Sequence, residues 1–482
     1  MPIAHCELIF SSQYKEVFKP QVIMTSNYNL PPTVEMPIFL RRMKFIFQPF
    51  QYLEQNAQLY GDTFSLPQKD GSSTVYFGQP EALQQIFTAD PKSLETGRGS
   101  RILRFLVGDN SVLLLHGDRH QRQRKLLTPP FHGDRMRAYG MTICEIAQQV
   151  SDEWQTEKPF NIRESMQEIT LSVILRAVFG LDEGNRLQKI RLKISSLLDY
   201  LSSPLLSAGM FFPVLQKDWG SWSPWGRVLY LRQQIDDLIY DLIEQRRAES
   251  NPNREDILSL MMSARYEDGG EMSNQELRDE LMTLLFAGHE TTASALTWAF
   301  YWVDYLPEVR EKLLKEINDL GENAEPNLVA KLPYLTAVCQ ETLRIYPIVP
   351  SATPRIASCS MEIGGYTLPK GTWIIPSIYL AHYREEVYSQ PQQFKPERFL
   401  ERQFSPYEFF PFGGGNRRCI GLAFAMHEMK LVLATILSQY EVSRIDKRPL
   451  KPVRRGLTLA TPAGMKMVAK PIKKVANTPV AV

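Results

Sequence analysis

The chain has 482 residues, of which 44% are hydrophobic and 22% are charged, and its formal net charge at pH 7 is +2. This composition excludes a disordered, collagen-like or disulfide-rich chain, and the near balance of charge gives no reason to expect a nucleic-acid partner. The five cysteines are widely spaced and form no CxxC pair. They indicate neither a zinc site nor a disulfide framework, and they fit a reducing, cytoplasmic compartment.

The N-terminal residues differ in character from those that follow. Residues 1–23 are mixed in polarity, whereas Met24 opens a polar stretch that leads to two prolines. We therefore expect 1–23 to be an N-terminal extension that is not translated, and 24–482 to form a single domain. No run of about 18 apolar residues predicts a membrane-spanning helix, so a transmembrane anchor is not expected.

Most of the chain has the periodicity of helices, and β-prone runs are short and few. Thr63–Leu66 and Ser73–Phe77 flank turn-forming residues and predict a hairpin. From about residue 80, apolar residues recur every three or four positions and predict helices, and β-prone runs return only after about residue 351. The pattern predicts a mainly α fold, with a large helical region and a small β-rich region.

One apolar stretch, Leu201–Leu215, contains two prolines and is predicted to be a loop. It fits a peripheral membrane contact or the edge of a substrate entrance. It fits a buried connection between helices equally well, and these interpretations stay open.

A long buried helix is predicted to begin at Ser273. Ser273 and Glu276 have the S-x-x-E spacing of a capping box. Apolar residues continue to about Leu306, where Pro307 is expected to end the helix. Because the middle of the segment is apolar nearly all round, we expect it to cross the protein interior.

The decisive motif is FGGGNRRCIG at residues 412–421, directly before an apolar helix predicted over Leu422–Leu437. The glycines allow the backbone to curl closely around a flat cofactor. A thiolate at Cys419 would be stabilised by the helix N-terminus, and Arg417 can pair with a carboxylate of that cofactor. The alternative is a buried structural cysteine. However, F-x-x-G-x-R-x-C-x-G should arise by chance in only on the order of one in ten thousand chains of this length.

This loop resembles the haem-ligand loop of the cytochrome P450 family, and the resemblance extends from about Leu53 to the C-terminus. It implies the cytochrome P450 fold, with haem b (iron protoporphyrin IX) between the long central helix and the cysteine-loop helix. It also implies that the Cys419 thiolate binds the iron. The other matching residues, with implied roles in binding the cofactor, are Phe412, Gly415, Arg417 and Gly421.

The long predicted helix carries the sequence AGHETT at residues 287–292. Buried polar groups are costly without partners, so these side chains indicate a local opening beside a reaction centre. The alternative is a packing glycine, with threonines bonded back to their own helix carbonyls. The segment resembles the family's acid–alcohol pair, which delivers protons for cleavage of the O–O bond. The resemblance implies catalytic roles for Glu290 and Thr291.

Three further residues resemble the structural triad of the family. Glu341 and Arg344 form an E-x-x-R pair on one face of a helix predicted over Tyr334–Ile345, and Arg398 lies in the sequence PERF before the cysteine loop. The resemblance implies that this triad braces the haem-binding core and takes no part in the chemistry.

Three other residues resemble contacts to the haem propionates. His120 and Arg124 have the i,i+4 spacing that places both on one helix face, and Arg355 follows a proline. Many relatives carry tryptophan where this chain has His120, although several bacterial ones carry histidine. The alternative for all three residues is solvation at the protein surface.

The substrate pocket is expected to be apolar, which favours a hydrophobic substrate. Its lining is predicted to include Leu103, Phe105, Ala287, Val349 and Leu457, for which ordinary core packing is the alternative. The AGHETT and ETLRIYP segments resemble bacterial, particularly cyanobacterial, members that are similar to fatty-acid hydroxylases. A long-chain fatty acid or related lipid is therefore the first expectation, with a terpene or alkane as the alternative.

The reaction implied by the resemblance inserts one oxygen atom of O₂ into the substrate and releases the other as water. The chain shows no flavin or iron–sulfur domain, so a separate ferredoxin or flavodoxin with its NAD(P)H reductase is expected to supply electrons. Arg122, Lys125 and Arg418 are predicted to form a basic face for that partner, and the enzyme is expected to be a monomer. A peroxide-using haem enzyme, an isomerase of the same fold or a non-catalytic haem protein would not need the acid–alcohol pair.

Overall fold

The computed structural model describes residues 29–133, 135–181, 185–202, 216–249, 254–321, 324–456 and 458–472. The interpretations of residues 1–23, of Leu457 and of most of the apolar stretch 201–215 fall outside these ranges. Within them, no helix is both long and apolar enough to span a membrane.

Helices make up most of the regular structure, which confirms the predicted mainly α fold. The described helices are α1 (Ile38–Phe47), α2 (Pro49–Tyr60), α3 (Pro80–Thr88), α4 (Arg104–Val107), α5 (Gly117–Leu127), α6 (Arg135–Asp152), α7 (Ile162–Phe179), α8 (Asn185–Ser202), α9 (Pro224–Glu249), α10 (Ile257–Ser263), α11 (Asn274–Tyr305), α12 (Pro307–Asp319), α13 (Pro326–Val329), α14 (Pro333–Ile345), α15 (Ile378–His382), α16 (Arg398–Glu401) and α17 (Leu422–Leu437).

The strands form small sheets beside the helical region. They are β1 (Thr63–Pro67), β2 (Ser73–Phe77), β3 (Leu94–Glu95), β4 (Phe160–Asn161), β5 (Arg355–Ala357), β6 (Met361–Ile363), β7 (Tyr366–Leu368), β8 (Trp373–Pro376), β9 (Tyr440–Arg444), β10 (Val453–Arg455), β11 (Thr458–Ala460) and β12 (Lys466–Pro471). The largest sheet has the order β1-β2-β8-β5-β3, in which only the β2–β8 pair is parallel. The others are β4-β12-β9, β10-β11 and β6-β7.

The predicted hairpin is confirmed by antiparallel pairing of β1 with β2 from Thr63↔Phe77 to Pro67↔Ser73. Its turn is closed by Asp70, whose carboxylate accepts hydrogen bonds from the Ser72 backbone N–H at 3.1 Å and from its hydroxyl at 2.7 Å. A short aspartate side chain favours such turns because it can accept from the backbone two residues on.

The long helix α11 begins and ends where the sequence predicts. The Ser273 hydroxyl accepts from the Glu276 N–H at 3.2 Å, and the Glu276 carboxylate accepts from the Ser273 N–H at 2.8 Å, which completes the capping box. The helix ends at Tyr305, and Pro307 opens the next helix at a position where its missing N–H has no cost. Most side chains of α11 are buried, so the helix crosses the interior.

The main core lies where α11 packs along α7, and where α17 packs along α6 and against α11. Apolar side chains from these four helices form one continuous cluster, in which Trp298 is fully buried. Burial of each large apolar side chain contributes roughly 1.5–3 kcal/mol, so this bundle supplies a rigid frame. It fixes the cysteine loop, which directly precedes α17, relative to the middle of α11.

Candidate active site

Cys419 lies at the end of a tightly turned loop. Residues Gly415–Arg417 form a single 3₁₀ turn, and the backbone N–H of Cys419 donates to the Phe412 carbonyl at 2.9 Å. Helix α17 begins at Leu422, with Gly421 at its N-cap. The Cys419 side chain retains exposed surface, so its sulfur is accessible to a ligand.

The electrostatic environment of the sulfur differs from the sequence expectation. Enclosure by the surrounding protein raises the pKa of the Cys419 thiol, and this effect outweighs three opposing ones. The opposing effects are a backbone hydrogen bond from Gly421 and the positive charges of Arg124 and Arg418. The Gly421 N–H at the start of α17 thus acts in the direction of a thiolate, and bonding to a metal ion deprotonates a thiol outright.

The glycines of the loop are required by its backbone and by close packing on α3. Gly413 and Gly415 have φ of +69° and +64°, the left-handed region that side chains disfavour. A Cβ atom on Gly414 would lie 2.4 Å from the Phe87 ring, and one on Gly415 would lie 2.5 Å from the Phe87 carbonyl oxygen. By contrast, a Cβ on Gly421 would meet nothing within 4 Å, which leaves open space at the start of α17.

A cluster of cationic side chains surrounds the cysteine loop. Arg355 is buried and donates to the carbonyls of Thr353 at 2.8 Å and Gly414 at 3.1 Å. Arg417 donates to the Val112 carbonyl at 2.9 Å and to that of Leu115, while its Nε has no partner among the described residues. Backbone carbonyls thus orient both guanidinium groups but supply no full negative charge.

The pKa values of Arg355, Arg417 and His120 are all lowered, because burial disfavours their charged forms and no described counter-ion offsets it. Burial lowers the pKa of Arg355 to about 10, and burial with repulsion from Arg355 and Arg124 lowers that of Arg417 to about 9. Burial and the nearby cations Arg417 and Arg124 lower the pKa of His120 to about 3, so its ring is neutral at physiological pH. No described carboxylate ion-pairs with Arg124, Arg355 or Arg417. An anionic cofactor with two carboxylates, such as haem, fits this cluster and the accessible sulfur beside it.

In the middle of α11, the segment 287–292 opens one side of an otherwise buried helix. Ala287 is exposed, and Gly288 and Thr291 are half-buried, although the helix backbone continues without a break. The Thr291 hydroxyl donates to the Ala287 carbonyl at 2.5 Å, and a Cβ on Gly288 would lie 2.6 Å from Ile174 Cδ1. The structure therefore contains both the opening and the helix packing that the sequence offered as alternatives.

Glu290 faces away from that opening, toward α7. Its carboxylate is buried, forms an ion pair with Arg163 and accepts from Gln167 Nε2 at 3.1 Å. Arg163 also donates to the Ser294 hydroxyl at 3.1 Å. These partners could not be predicted from the sequence, because they lie more than 120 residues earlier in the chain and no local spacing connects them to Glu290.

Replacing Arg163 with methionine should destabilise the protein by about 3–5 kcal/mol, because it leaves the buried Glu290 carboxylate with only an amide partner. The urea unfolding midpoint measures this change. Arg191→Met is the control. It breaks an ion pair at the surface, 3.2 Å long, between Arg191 on α8 and Glu168 on α7, and should destabilise the protein by less than about 1 kcal/mol. The double variant Arg163→Met/Glu290→Leu should recover most of the loss. Equal losses in the single and double variants would contradict this interpretation.

The three residues of the predicted triad form one buried network. Arg344 donates from Nε and Nη2 to the two Glu341 carboxylate oxygens at 2.6 and 2.8 Å, and Arg398 Nε lies 3.2 Å from the same carboxylate. The backbone N–H of Lys395 donates to it at 2.8 Å, and Arg344 also donates to the His382 carbonyl at 2.9 Å. Each charge is both paired and hydrogen-bonded, which is the condition for a favourable buried ion pair.

The residues predicted to line the pocket differ in their surroundings. Leu103 and Phe105 are half-buried against the main core, and the Phe105 ring packs on Trp225 with centroids 4.8 Å apart. Val349 packs on a second apolar cluster beneath the large sheet. Phe105 also lines a cleft of about 610 Å³ between α4, α9 and α11, in which charged residues such as Arg101, Asp236 and Arg278 predominate. This cleft is polar, and neither Cys419 nor Thr291 lines it.

The basic face predicted for a redox partner is largely neutralised. Arg122 forms an ion pair with Asp268 at 2.6 Å, and Lys125 forms one with Glu267 at 2.6 Å. Of the three residues, only Arg418 is exposed without a described acidic partner. The basic face stays a prediction, in which carboxylates distant in sequence offset part of the charge of Arg122 and Lys125.

Comparison with known proteins identifies the family. The model of the family described as cytochrome P450 matches residues 30–468. Cytochrome P450 135B1 of Mycobacterium tuberculosis is 33% identical over 455 residues, which cover 94% of this chain and 94% of that protein. Cytochrome P450 138 of the same organism is 34% identical over 447 residues, which cover 92% and 96% of the two proteins.

Solved structures agree with this assignment at the level of the fold. The retinoic acid-bound cyanobacterial CYP120A1 matches with a TM-score of 0.81 at 23% identity, covering 93% of this chain and 100% of the other. The haem domain of cytochrome P450DA matches with a TM-score of 0.78 at 22% identity, covering 92% and 98%. The chain therefore belongs to the cytochrome P450 family and is a monooxygenase that uses O₂ and haem with a cysteine thiolate ligand.

Proposed function

We propose that this enzyme hydroxylates a long-chain fatty acid or a related lipid, with a terpene or alkane as the alternative substrate. The opening of α11 at Ala287 carries the proposal, because it presents an apolar surface in the middle of a buried helix. The half-buried apolar side chains of Leu103, Phe105 and Val349 support it. The cyanobacterial CYP120A1 was solved with retinoic acid, which is an apolar chain that ends in a carboxylate.

Substrate-induced change in the haem spin state tests this proposal. Titration with palmitic acid should shift the Soret band toward the high-spin position at micromolar concentrations, whereas a terpene and an alkane of similar size should bind more weakly. A spin-state change with the terpene or alkane alone would replace the fatty acid by the alternative. No change with any lipid would reject a lipid substrate.

We assign roles to the chain's own residues as follows. Haem bound to Cys419 supplies the activation of O₂. Arg124, Arg355 and Arg417, with the neutral His120 beside them, hold the two cofactor carboxylates. Their charges support this role, because described acidic side chains do not neutralise them. Phe412, Gly415 and Gly421 shape the loop under the cofactor.

Thr291 is proposed to pass protons to the reaction centre, and Glu290, which faces α7, is proposed as the acid next to it in the chain. The half-exposed Thr291 hydroxyl, at the open side of α11, supports this role. Replacing Thr291 with alanine should lower the product formed per NAD(P)H consumed, with the difference appearing as hydrogen peroxide. The neighbouring Thr292 is buried, so Thr292→Ala is the matched control and should leave the coupling unchanged.

Unaltered coupling in Thr291→Ala would favour a peroxide-using enzyme or an isomerase of the same fold. Complete absence of turnover in the wild type, despite a bound substrate and a competent reductase, would favour a non-catalytic haem protein. Each outcome is distinguishable by measuring NAD(P)H, hydrogen peroxide and product in the same reaction.

Family members generally use redox partners, and we propose a separate ferredoxin or flavodoxin with its reductase for this chain. We further propose that residues 24–482 act as one domain, as a monomer in the cytoplasm. Reconstitution with each carrier protein tests the partner, and sedimentation of the haem-loaded protein tests the oligomeric state. Equal turnover without any added carrier protein would reject the partner proposal.

A further inference from the structure

Helix α11 holds the backbone of the segment that connects α4 to α5. We call residues 108–116 the connecting loop. The Glu280 carboxylate accepts a hydrogen bond from the Val112 backbone N–H at 2.7 Å, and the Thr283 hydroxyl donates to the Ser111 hydroxyl at 2.7 Å. All these groups are buried, so water does not compete for them.

A second carboxylate of α11 holds the start of the same loop. Asp279 accepts from the backbone N–H of Asn110 at 2.9 Å and from its side-chain amide at 3.1 Å. Gly108 has a φ of +82°, and a Cβ there would lie 2.0 Å from Asp279 Oδ1. The loop therefore fits closely on the first half of α11. Arg278 forms an ion pair with Asp279 at 2.8 Å and a second one with Asp236.

The opposite side of the connecting loop contacts Arg417, a proposed haem-binding residue in the cysteine loop. Arg417 donates to the Val112 carbonyl at 2.9 Å and to the Leu115 carbonyl. The Val112 residue thus joins two elements, since its N–H reaches Glu280 on α11 and its carbonyl reaches Arg417 in the cysteine loop. Displacement of Val112 would remove one of the two carbonyls that orient Arg417.

We propose that Glu280 is a positioning residue, which docks the connecting loop on α11 and thereby orients Arg417, and that this docking weakens as the pH rises. The docking itself follows from the contacts of Glu280 and Val112. Its consequence for the cofactor rests on the proposed role of Arg417 in haem binding.

The surroundings of Glu280 disfavour its ionised form. Its Oε2 atom has no hydrogen-bond partner in the part of the chain that the structure describes. Two negative charges, Asp279 and Glu276, lie on the same helix, and burial together with these neighbours raises the pKa of Glu280 to about 8 despite the hydrogen bond from the Val112 N–H. The other titratable or charged groups near this site are Tyr266, which bonds to Gln123 and Glu276, Arg122 over the Tyr266 ring, and Arg417 beyond Val112.

The direction of the pH dependence follows from linkage. In an undocked loop, Glu280 would face solvent and regain its ordinary pKa of 4.5, whereas in the docked state it keeps its proton up to about pH 8. The docked state therefore binds more protons between these two values. Docking is strongest below pH 4.5. Above that pH the equilibrium constant for docking falls, by up to ~10-fold per pH unit, until the pH passes the pKa of Glu280 in the docked state.

Hydrogen–deuterium exchange of the haem-loaded protein tests this proposal. Protection factors of peptides covering 108–116, taken after correction for the intrinsic exchange rate, should fall by up to ~10-fold per unit between pH 6 and 8. In Glu280→Gln, which keeps the acceptor oxygen but cannot ionise, protection should not depend on pH. Glu267→Gln removes a nearby exposed carboxylate and should keep the wild-type slope, and peptides of α17 serve as the internal reference.

Two outcomes would overturn the proposal. One is a wild-type connecting loop whose protection does not change with pH, and the other is a slope that persists in Glu280→Gln. The absorption spectrum of the reduced, carbon monoxide-bound form, recorded on the same samples, separates this result from the proposed function. A protein without the red-shifted Soret band would contradict the haem assignments while leaving the exchange result of the loop interpretable.

Discussion

Replacing Cys419 with serine should abolish the strongly red-shifted Soret band of the reduced, carbon monoxide-bound protein, and monooxygenase turnover should disappear with it. The shift depends on a thiolate, which donates electron density to the iron, and a serine hydroxyl is too weak an acid to take its place. The loop around residue 419 should keep its shape in the variant, because the residue 419 N–H bond to the Phe412 carbonyl and the two left-handed glycines do not involve the side chain.

Cys359 provides the matched control for this experiment. It is a second exposed free cysteine, far from the glycine-rich loop in sequence, and Cys359→Ser should leave the spectrum unchanged. A red-shifted band that survives in Cys419→Ser would refute the assignment of the ligand. Loss of the band in both variants would indicate that general damage to the fold, and not the ligand, is responsible.

Replacing Glu341 with leucine should destabilise the holoprotein by about 3–5 kcal/mol, because it leaves Arg344 and Arg398 buried without a carboxylate. Arg344 is fully enclosed, and attraction to Glu341 holds the pKa of its guanidinium above the usual value despite burial. The variant should also lose haem at lower urea concentrations than the wild type. The unfolding midpoint, followed by far-ultraviolet circular dichroism and by the Soret band, measures both changes.

The control for this network is an exposed ion pair in the same region. Glu397 pairs with Lys312 at 2.8 Å near the surface, so Glu397→Gln should cost less than about 1 kcal/mol. A loss in Glu341→Leu as small as that of the control would show that the network contributes little to stability. The double variant Glu341→Leu/Arg344→Met should recover part of the loss, since it removes one of the two uncompensated charges.

Local signals in the sequence predicted the elements of the fold well. The capping box at Ser273, the turn at Asp70 and the end of α11 before Pro307 depend on residues within a few positions of each other, and the structure confirms each of them. The cysteine loop was equally accessible, because its glycines are required by positive φ angles and by contact with the ring of Phe87.

Long-range partners could not be predicted from spacing. The ion pair of Arg163 with Glu290 and the docking of Val112 on Glu280 each join residues more than 120 positions apart. For the same reason the ion pair of Lys125 could not be predicted, since Glu267 lies 142 residues later in the chain. A periodicity analysis identifies which face of a helix is polar but not which charge the folded chain brings to it.

The effect of burial on the pKa of the Cys419 thiol could not be predicted from the sequence either. The helix N-terminus lowers the pKa of the thiol, as expected, and Arg124 and Arg418 lower it further, but burial outweighs them. Burial depends on the assembled fold and not on the local sequence.

The two sides of α11 differ in how much mutational change they can accept. On one side, Gly288 touches Ile174, His289 bonds to Thr170 at 2.8 Å, and Glu290 pairs with Arg163, so a substitution there must be matched by another on α7. On the open side, Ala287 is exposed, so a substitution there needs no matching change on α7. Divergence of substrate range, in natural lineages or in directed evolution, should therefore accumulate at position 287 and in the loops facing it, while the α7 side changes only by coupled pairs.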